Sequence, residues 1–293
     1  MPRGYSTTLA FPPFTRAIKW LVIANTAVFL LMLLLGAVAP GVAGGIFQFG
    51  ELLPFAVLHG AIWQLVTYSF LHVGIFHIAF NMLTLWMFGA QLESDWGRNQ
   101  FLEFYFFCVV AAAVTTIVVA YIGTLPAAGF MGVTPFTPTV GASGGIFGVM
   151  VAFAVLYGEQ QFMMFPFPFM IKAKYLVAIL VLIALAGAFQ GMGPGHRGES
   201  VAYFAHLGGA LFGYLYLRFV PRRGIAYMTS ERYFGFRNAY YRWKRRRAAR
   251  KFEVYMRDHG KEVYFDEYGN YRGPGTSSPP DKKNGGSKSG WVN

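Results

Sequence analysis

The sequence predicts an all-α membrane protein, a bundle of six transmembrane helices. Three observations predict it: six long apolar stretches, too little charge for a soluble domain, and basic residues gathered on one set of alternating loops. Of the 293 residues 55% are hydrophobic and only 13% charged, where a soluble domain carries about a quarter charged residues. The stretches lie near 20–39, 68–90, 101–123, 141–158, 174–192 and 202–220, and crossing a bilayer takes roughly 20 mostly apolar residues.

The first stretch ends in Ala37-Val38-Ala39, which resembles a signal-peptide cleavage site. Its apolar run is long for a signal peptide, so an uncleaved span is favoured. The second carries His72, His77 and Asn81. The third holds the only cysteine, Cys108, which excludes an intramolecular disulfide or a multi-cysteine metal site and is expected to pack as a small apolar residue within a helix. The fourth and sixth are rich in glycine and alanine, a composition suited to helices buried among other helices.

Orientation follows from the loops. An even number of spans places both termini on one side, together with Arg3, Arg16, Lys19, Arg98, Lys172, Lys174 and everything after Arg218, where the net charge of +12 is concentrated. The opposite loops, near 40–67, 124–140 and 193–201, carry only Arg197. Positively charged loops stay in the cytoplasm, so both termini are expected there. The long loop 40–67 carries Phe47, Phe49, Leu52, Leu53, Phe55, Ile62 and Trp63 and is expected to lie partly in the outer interface.

The expected organisation is a cytoplasmic segment 1–19, a six-span domain 20–222 and a basic tail 223–293. Within the tail, residues 231–252 interleave Tyr233, Phe236, Tyr240 and Trp243 with Lys244-Arg245-Arg246-Arg247. Such a patch suits nucleic acid or anionic lipid headgroups. Because it follows the sixth span so closely, lipid is the expected partner and nucleic acid is not. Gly273 to Asn293 reads as a disordered end.

Polar residues inside spans are expensive and are functional candidates. Those well inside are His72, His77, Asn81, Ser143 and His206, all toward the non-cytoplasmic side; the acids Glu93, Asp95, Glu103, Glu159 and Glu199 fall near span ends. Ser143 lies in Gly141-Ala142-Ser143-Gly144-Gly145, a sequence that alone more often marks helix packing than catalysis. Gly144 with Gly148, and Gly209 with Gly213, form two small-residue stripes that allow the fourth and sixth helices to approach closely. That approach would bring His206 near Ser143. His77 and Asn81 are four apart and share a helix face. With the Ser143 N–H they could hold an oxyanion, although interhelical hydrogen bonding is the commoner use of such a pair. His72, five residues before His77, is expected to point elsewhere. No acid lies at the depth of His206, so a Ser-His dyad is what the residues permit, with Phe147 stacking on the imidazole in place of a carboxylate.

The combination His77-x-x-x-Asn81, Gly141-x-Ser143-Gly144 and Ala205-His206-x-x-Gly209-x-x-x-Gly213, on spans two, four and six, resembles the rhomboid intramembrane proteases over roughly residues 15–222. The six spans, with no extra helix at either end, resemble the bacterial form. The resemblance implies Ser143 as nucleophile, His206 as base, and His77 and Asn81 with the Ser143 N–H as oxyanion hole, supported by Gly141, Gly144, Phe147, Gly209 and Gly213. It implies single-pass transmembrane proteins as substrates, admitted laterally past the fifth span, no cofactor or metal, and a bacterial inner membrane location. Gln64 and Asp95 stand where many members have arginine, in Trp63-Gln64 and Glu93-Ser94-Asp95, which puts the family's usual loop and cytoplasmic-end contacts in doubt. The competing readings are a catalytically inactive rhomboid-like chaperone or binding protein, a transporter, and a zinc metalloprotease. The last needs a His-Glu-x-x-His or similar cluster that the sequence lacks.

Overall fold

Six helices correspond to the six stretches in a computed structural model that describes residues 12–125, 134–163, 170–190, 199–220 and 224–272 apart from 267 and 269. In chain order the elements are α1 (Arg16–Val38), α2 (Pro40–Gly50), α3 (Pro54–Leu58), α4 (Gln64–Thr67) running into a 3-10 turn (Tyr68–Phe70), α5 (Ile75–Trp96), α6 (Arg98–Ile122), α7 (Ser143–Tyr157), β1 (Gln161–Met163), β2 (Met170–Lys172), α8 (Ala173–Gln190), α9 (Glu199–Phe219), α10 (Gly224–Asp258), β3 (Tyr264–Phe265) and β4 (Tyr271–Arg272). The expected disordered end, Arg3 and Arg197 lie outside the described residues.

Among the described residues α1, α5 and α6 are long and apolar enough to cross a membrane, and α7 and α8 are shorter apolar helices. The second helix starts later than its apolar stretch. Leu71 and Gly74 are extended, so residues 68–74 form an entry turn and the helix begins at Ile75. It ends at Gly97, whose φ of +81° breaks the helix and turns the chain into α6. The loop 40–67 is largely helical, built from α2, α3 and α4.

Position in the bundle follows side-chain size. α7 is the central helix, with Gly144, Gly145, Ile146, Gly148, Val149, Met150, Ala152 and Phe153 buried. Around its first half the packing is small: Ala112 of α6 and Gly209 of α9 lie against its glycines, and Val109 and the buried Cys108 fill the gaps. Around its far end the core is aromatic. Phe88 and Phe153 meet edge-on at 5.1 Å and Phe104 and Tyr216 at 5.0 Å, while the Tyr216 hydroxyl donates to Glu103 at 2.7 Å. Small residues bring the backbones together at one end, and rings fill the wider space at the other.

α1 belongs to this core mainly through its first turns, where Ala17, Ile18, Leu21 and Asn25 are buried, with Phe29 packed against it further along; Leu30, Leu31, Leu33 and Leu34 are exposed. Glu93 of α5 accepts the Ala17 N–H at 2.7 Å and the Ile18 N–H at 3.0 Å, and also the Thr15 hydroxyl. A carboxylate from another helix therefore caps the otherwise unpaired donors of the α1 N-terminus.

Between α7 and α8 the chain forms a short antiparallel hairpin, β1 with β2, which the apolar pattern did not announce. Glu159 ties it down through salt bridges to Lys172, at 2.8 Å, and Lys174.

The chain divides into two compact units, Met1–Ile225 and Ala226–Asn293. In the second, the hairpin β3–β4 closes on the C-terminal part of α10: Phe252 meets Phe265 edge-on at 6.1 Å and Glu253 accepts the Phe265 N–H at 3.1 Å. Asp266 accepts the N–H groups of Tyr268 and Asn270, both at 2.8 Å, and so shapes the hairpin turn.

Candidate active site

Ser143 is the first residue of α7, and the turn that delivers it is fixed from three directions. Leu52 of the first loop and Thr139 exchange both backbone hydrogen bonds at 2.9 Å. The Gly141 N–H donates to the Tyr68 carbonyl at 2.9 Å. Buried Tyr68 is itself anchored, its hydroxyl donating to the Val109 carbonyl of α6 at 2.8 Å. Gly141 has a φ of +116°, a conformation that side chains disfavour. A Cβ there would also lie 2.7 Å from His77 Nε2 and 3.8 Å from Asn81 Nδ2. The absent side chain is thus where His77 and Asn81 converge, two residues before Ser143.

Those two side chains come from the first turns of α5. Asn81 is buried, and its Nδ2 has no hydrogen-bond partner among the described residues. A buried amide donor left open is costly, and here it faces the backbone beside the serine. The Ser143 N–H, at the start of α7, is one of the donors that a helix leaves without an intrahelical acceptor. The positive end of the helix dipole points the same way.

His206 reaches Ser143 because α7 and α9 touch through their glycines. A Cβ on Gly209 would lie 2.8 Å from the Gly144 carbonyl carbon, and one on Gly213 2.7 Å from Gly148 Cα. At that separation His206 Nε2 stands 2.7 Å from Ser143 Oγ, a hydrogen bond in which the hydroxyl donates when the imidazole is neutral and carries its proton on Nδ1. The ring is held on both sides. Phe147, one turn after Ser143, stacks on it with centroids 4.3 Å apart and planes 9° apart, and Tyr203 meets it edge-on at 6.2 Å. No carboxylate pairs with His206 among the described residues. Of the two acids of α5, Glu93 and Asp95, the nearer to His77 is Glu93, sixteen residues away, roughly 24 Å along the helix.

Several contributors were not apparent in the sequence. His72 does not point away from His77: the rings meet edge-on at 4.9 Å, with His72 buried. The five-residue spacing misled because His72 precedes the helix, in the extended segment before Ile75. Tyr203 was missed as well. It is seated by Gly187 of α8, where a Cβ would come within 2.5 Å of the Tyr203 ring. Gln64, standing where the resemblance expects arginine, is buried and does a loop-holding job: its Oε1 accepts the Leu53 N–H at 3.0 Å and its Nε2 donates to the Phe49 carbonyl at 3.3 Å. Neighbouring Trp63 stacks on Phe49 at 4.9 Å and donates its indole N–H to the same carbonyl at 2.9 Å. Through Leu52 this clamp continues to Thr139 and the serine turn.

A serine hydroxyl bonded to an imidazole, with nitrogen donors converging beside it, is an arrangement suited to acyl transfer. Comparison with known proteins gives the family. The family model of the Rhomboid domain matches residues 59–223. The chain is 32% identical over 148 residues to Rhomboid protein 1, mitochondrial, of Saccharomyces cerevisiae, covering 50% of this chain and 39% of that protein. It is 27% identical over 221 residues to Rhomboid-like protein 19 of Arabidopsis thaliana, covering 74% and 64%. With Rhomboid protease GluP of Bacillus subtilis it shares 28% over 160 residues, covering 54% and 26%. The chain spans less than two thirds of the length of each of these relatives.

Proposed function

The chain belongs to the rhomboid family, and from that premise we propose that it is an intramembrane serine endopeptidase acting through a Ser143–His206 dyad. The observation that carries this reading is the 2.7 Å contact between His206 Nε2 and Ser143 Oγ. In the proposed mechanism neutral His206 takes the hydroxyl proton as Ser143 Oγ attacks a peptide carbonyl. The tetrahedral oxyanion is received by the Ser143 N–H, Asn81 Nδ2 and His77 Nε2, donors that need no rearrangement at the moment of reaction. Protonated His206 then gives its proton to the leaving amine. An acyl-enzyme remains, which water, deprotonated by His206, hydrolyses. With no carboxylate paired to the imidazole among the described residues, Phe147 and Tyr203 keep the ring in place.

The substrates on this reading are single-pass membrane proteins whose transmembrane segment unwinds to present a carbonyl, since a helical carbonyl is already hydrogen-bonded and shielded. Access would be lateral, past α8, whose Ile179, Leu182, Ile183 and Phe189 are exposed apolar residues. The protein would be a multi-pass membrane protein with both termini on the positively charged side, in a bacterial inner membrane. One of the relatives named above, that of Saccharomyces cerevisiae, is mitochondrial by name, and an organellar membrane would present the same chemistry.

The test is cleavage of a model transmembrane substrate by purified protein in detergent, beside Ser143→Ala and His206→Ala. Cleavage by the wild type that vanishes in both variants is the expected result. Cleavage surviving in Ser143→Ala would overturn the mechanism, and a wild type inert on several substrates would point to an inactive member that binds without cutting.

A further inference from the structure

The C-terminal unit is built with two unlike faces. On α10, Ala249 is buried and Glu253 and Met256 are half-buried, a spacing of four and three residues that marks one side of the helix. That side carries the hairpin, through Phe252 against Phe265 and Glu253 on the Phe265 N–H. The opposite side holds Tyr240, Trp243, Lys244, Arg247, Lys251 and Val254, all exposed. The Arg247 guanidinium lies over the Trp243 ring at 5.5 Å. Between Arg237 and Arg257 the only acid is Glu253, and it is turned to the hairpin. The hairpin thus occupies the apolar side of the helix and engages the one acid between Arg237 and Arg257, leaving a face of cations interleaved with amphipathic rings.

We infer that this face docks on anionic phospholipid headgroups. Basic side chains beside aromatics fit the lipid–water interface, where a ring sits at headgroup depth and the cations meet phosphate. Only four residues separate the end of α9 from the start of α10, so the face is tethered by a short stretch of chain to a bilayer that already contains the protein. Single-stranded nucleic acid would meet the same charges and rings, but connectivity supplies the membrane at high local concentration.

The experiment uses the full chain in nanodiscs of zwitterionic lipid only, so that no anionic lipid competes in the same bilayer, mixed with free vesicles. Co-sedimentation is expected with vesicles containing phosphatidylglycerol, not with phosphatidylcholine vesicles, and should fall with added salt. The variant Lys244→Glu/Arg247→Glu/Lys251→Glu should lose at least about a hundredfold in apparent affinity. Trp243→Ala should weaken binding without changing its salt dependence. Helix content by circular dichroism and cleavage of a model substrate should be unchanged in both variants, which separates this inference from the catalytic one. Equal binding to both vesicle types, full binding by the triple variant, or tight capture of a short single-stranded RNA without vesicle binding would overturn it.

Discussion

The imidazole of His206 lies 4.3 Å from the ring of Phe147, nearly parallel to it, and on the proposed mechanism the stack would do for orientation what a carboxylate does in a Ser-His-Asp triad. It fixes the ring plane with Nε2 toward Ser143, but offers no charge to stabilise the imidazolium. An aromatic stack of this kind contributes about 0.5–1.5 kcal/mol. Phe147→Ala is therefore expected to lower kcat by about two- to tenfold, with KM little changed, and Phe147→Tyr to retain most of the activity. Undiminished turnover in Phe147→Ala would remove the ring from the mechanism.

Asn81 Nδ2 is buried without a partner among the described residues, which suits a donor whose acceptor appears only during reaction. Removing one oxyanion donor typically costs 10²–10³-fold in kcat. Asn81→Ala should show a loss of about that size with substrate KM nearly unchanged. Its thermal stability should not fall, because no hydrogen bond of the resting protein is broken. A fall in stability with kcat intact would mark Asn81 as a structural residue instead.

Gly209 tests the glycine contact that delivers His206. Even a methyl group there would stand within 2.8 Å of the Gly144 carbonyl carbon, and backbone cannot yield as a flexible side chain can. Overpacking of this kind costs about 1–3 kcal/mol. Gly209→Ala is expected to lower the melting temperature in detergent and to reduce activity more than Phe147→Ala does, because it separates α7 from α9. Gly36, where an added Cβ meets nothing within 4 Å, is the matched control: Gly36→Ala should leave activity unchanged.

What could be read from the sequence was the part encoded by spacing on regular helices. The stripes Gly144/Gly148 and Gly209/Gly213 have the period of the helix that carries them, and the structure puts them face to face. His77 and Asn81 share a face for the same reason. The parts that escaped depend on irregular backbone or on partners distant in sequence. His72 looked misaligned because the segment before Ile75 is extended. The β1–β2 hairpin has no polar alternation. Tyr203 depends on a glycine sixteen residues earlier. Gln64, at a position where arginine was expected, and Glu93, two residues before another, turned out to hold mainly backbone N–H and C=O groups, and no single-sequence pattern distinguishes that role from side-chain pairing.

Outside the membrane-spanning helices, Lys172 and Lys174 hold the Glu159 carboxyl well below the ordinary range, at about 2 against 4.5. The sign follows from the charged form being the one that pairs. The clasp on the β1–β2 hairpin is complete above about pH 4.5 and is lost as pH falls toward 2. Amide exchange at Ala173, whose N–H donates to Gln160 at 2.7 Å, corrected for its intrinsic pH dependence, should accelerate over that window. Glu159→Gln should remove the pH dependence, and a hairpin insensitive to both would show that the strands hold without the clasp.

Glu93 is the residue through which α1 is joined to the helical bundle at its charged end. Its carboxylate takes two backbone N–H groups of α1 and the Thr15 hydroxyl, in a buried position, while Gly89 one turn earlier makes room for Ile18 and Phe101. Hydrogen bonds to a charged group contribute about 1.5–3 kcal/mol each. Those N–H groups would otherwise be buried unpaired, so Glu93→Ala should destabilise by several kcal/mol, with Glu93→Gln losing about half as much because it keeps an acceptor. Either change lies far from Ser143 along α5. Activity at low temperature should therefore persist while the unfolding temperature drops, and protease sensitivity should rise first in α1. If Glu93→Ala instead abolished cleavage while leaving stability intact, the carboxylate would have a part in the reaction that its place at the far end of α5 does not account for.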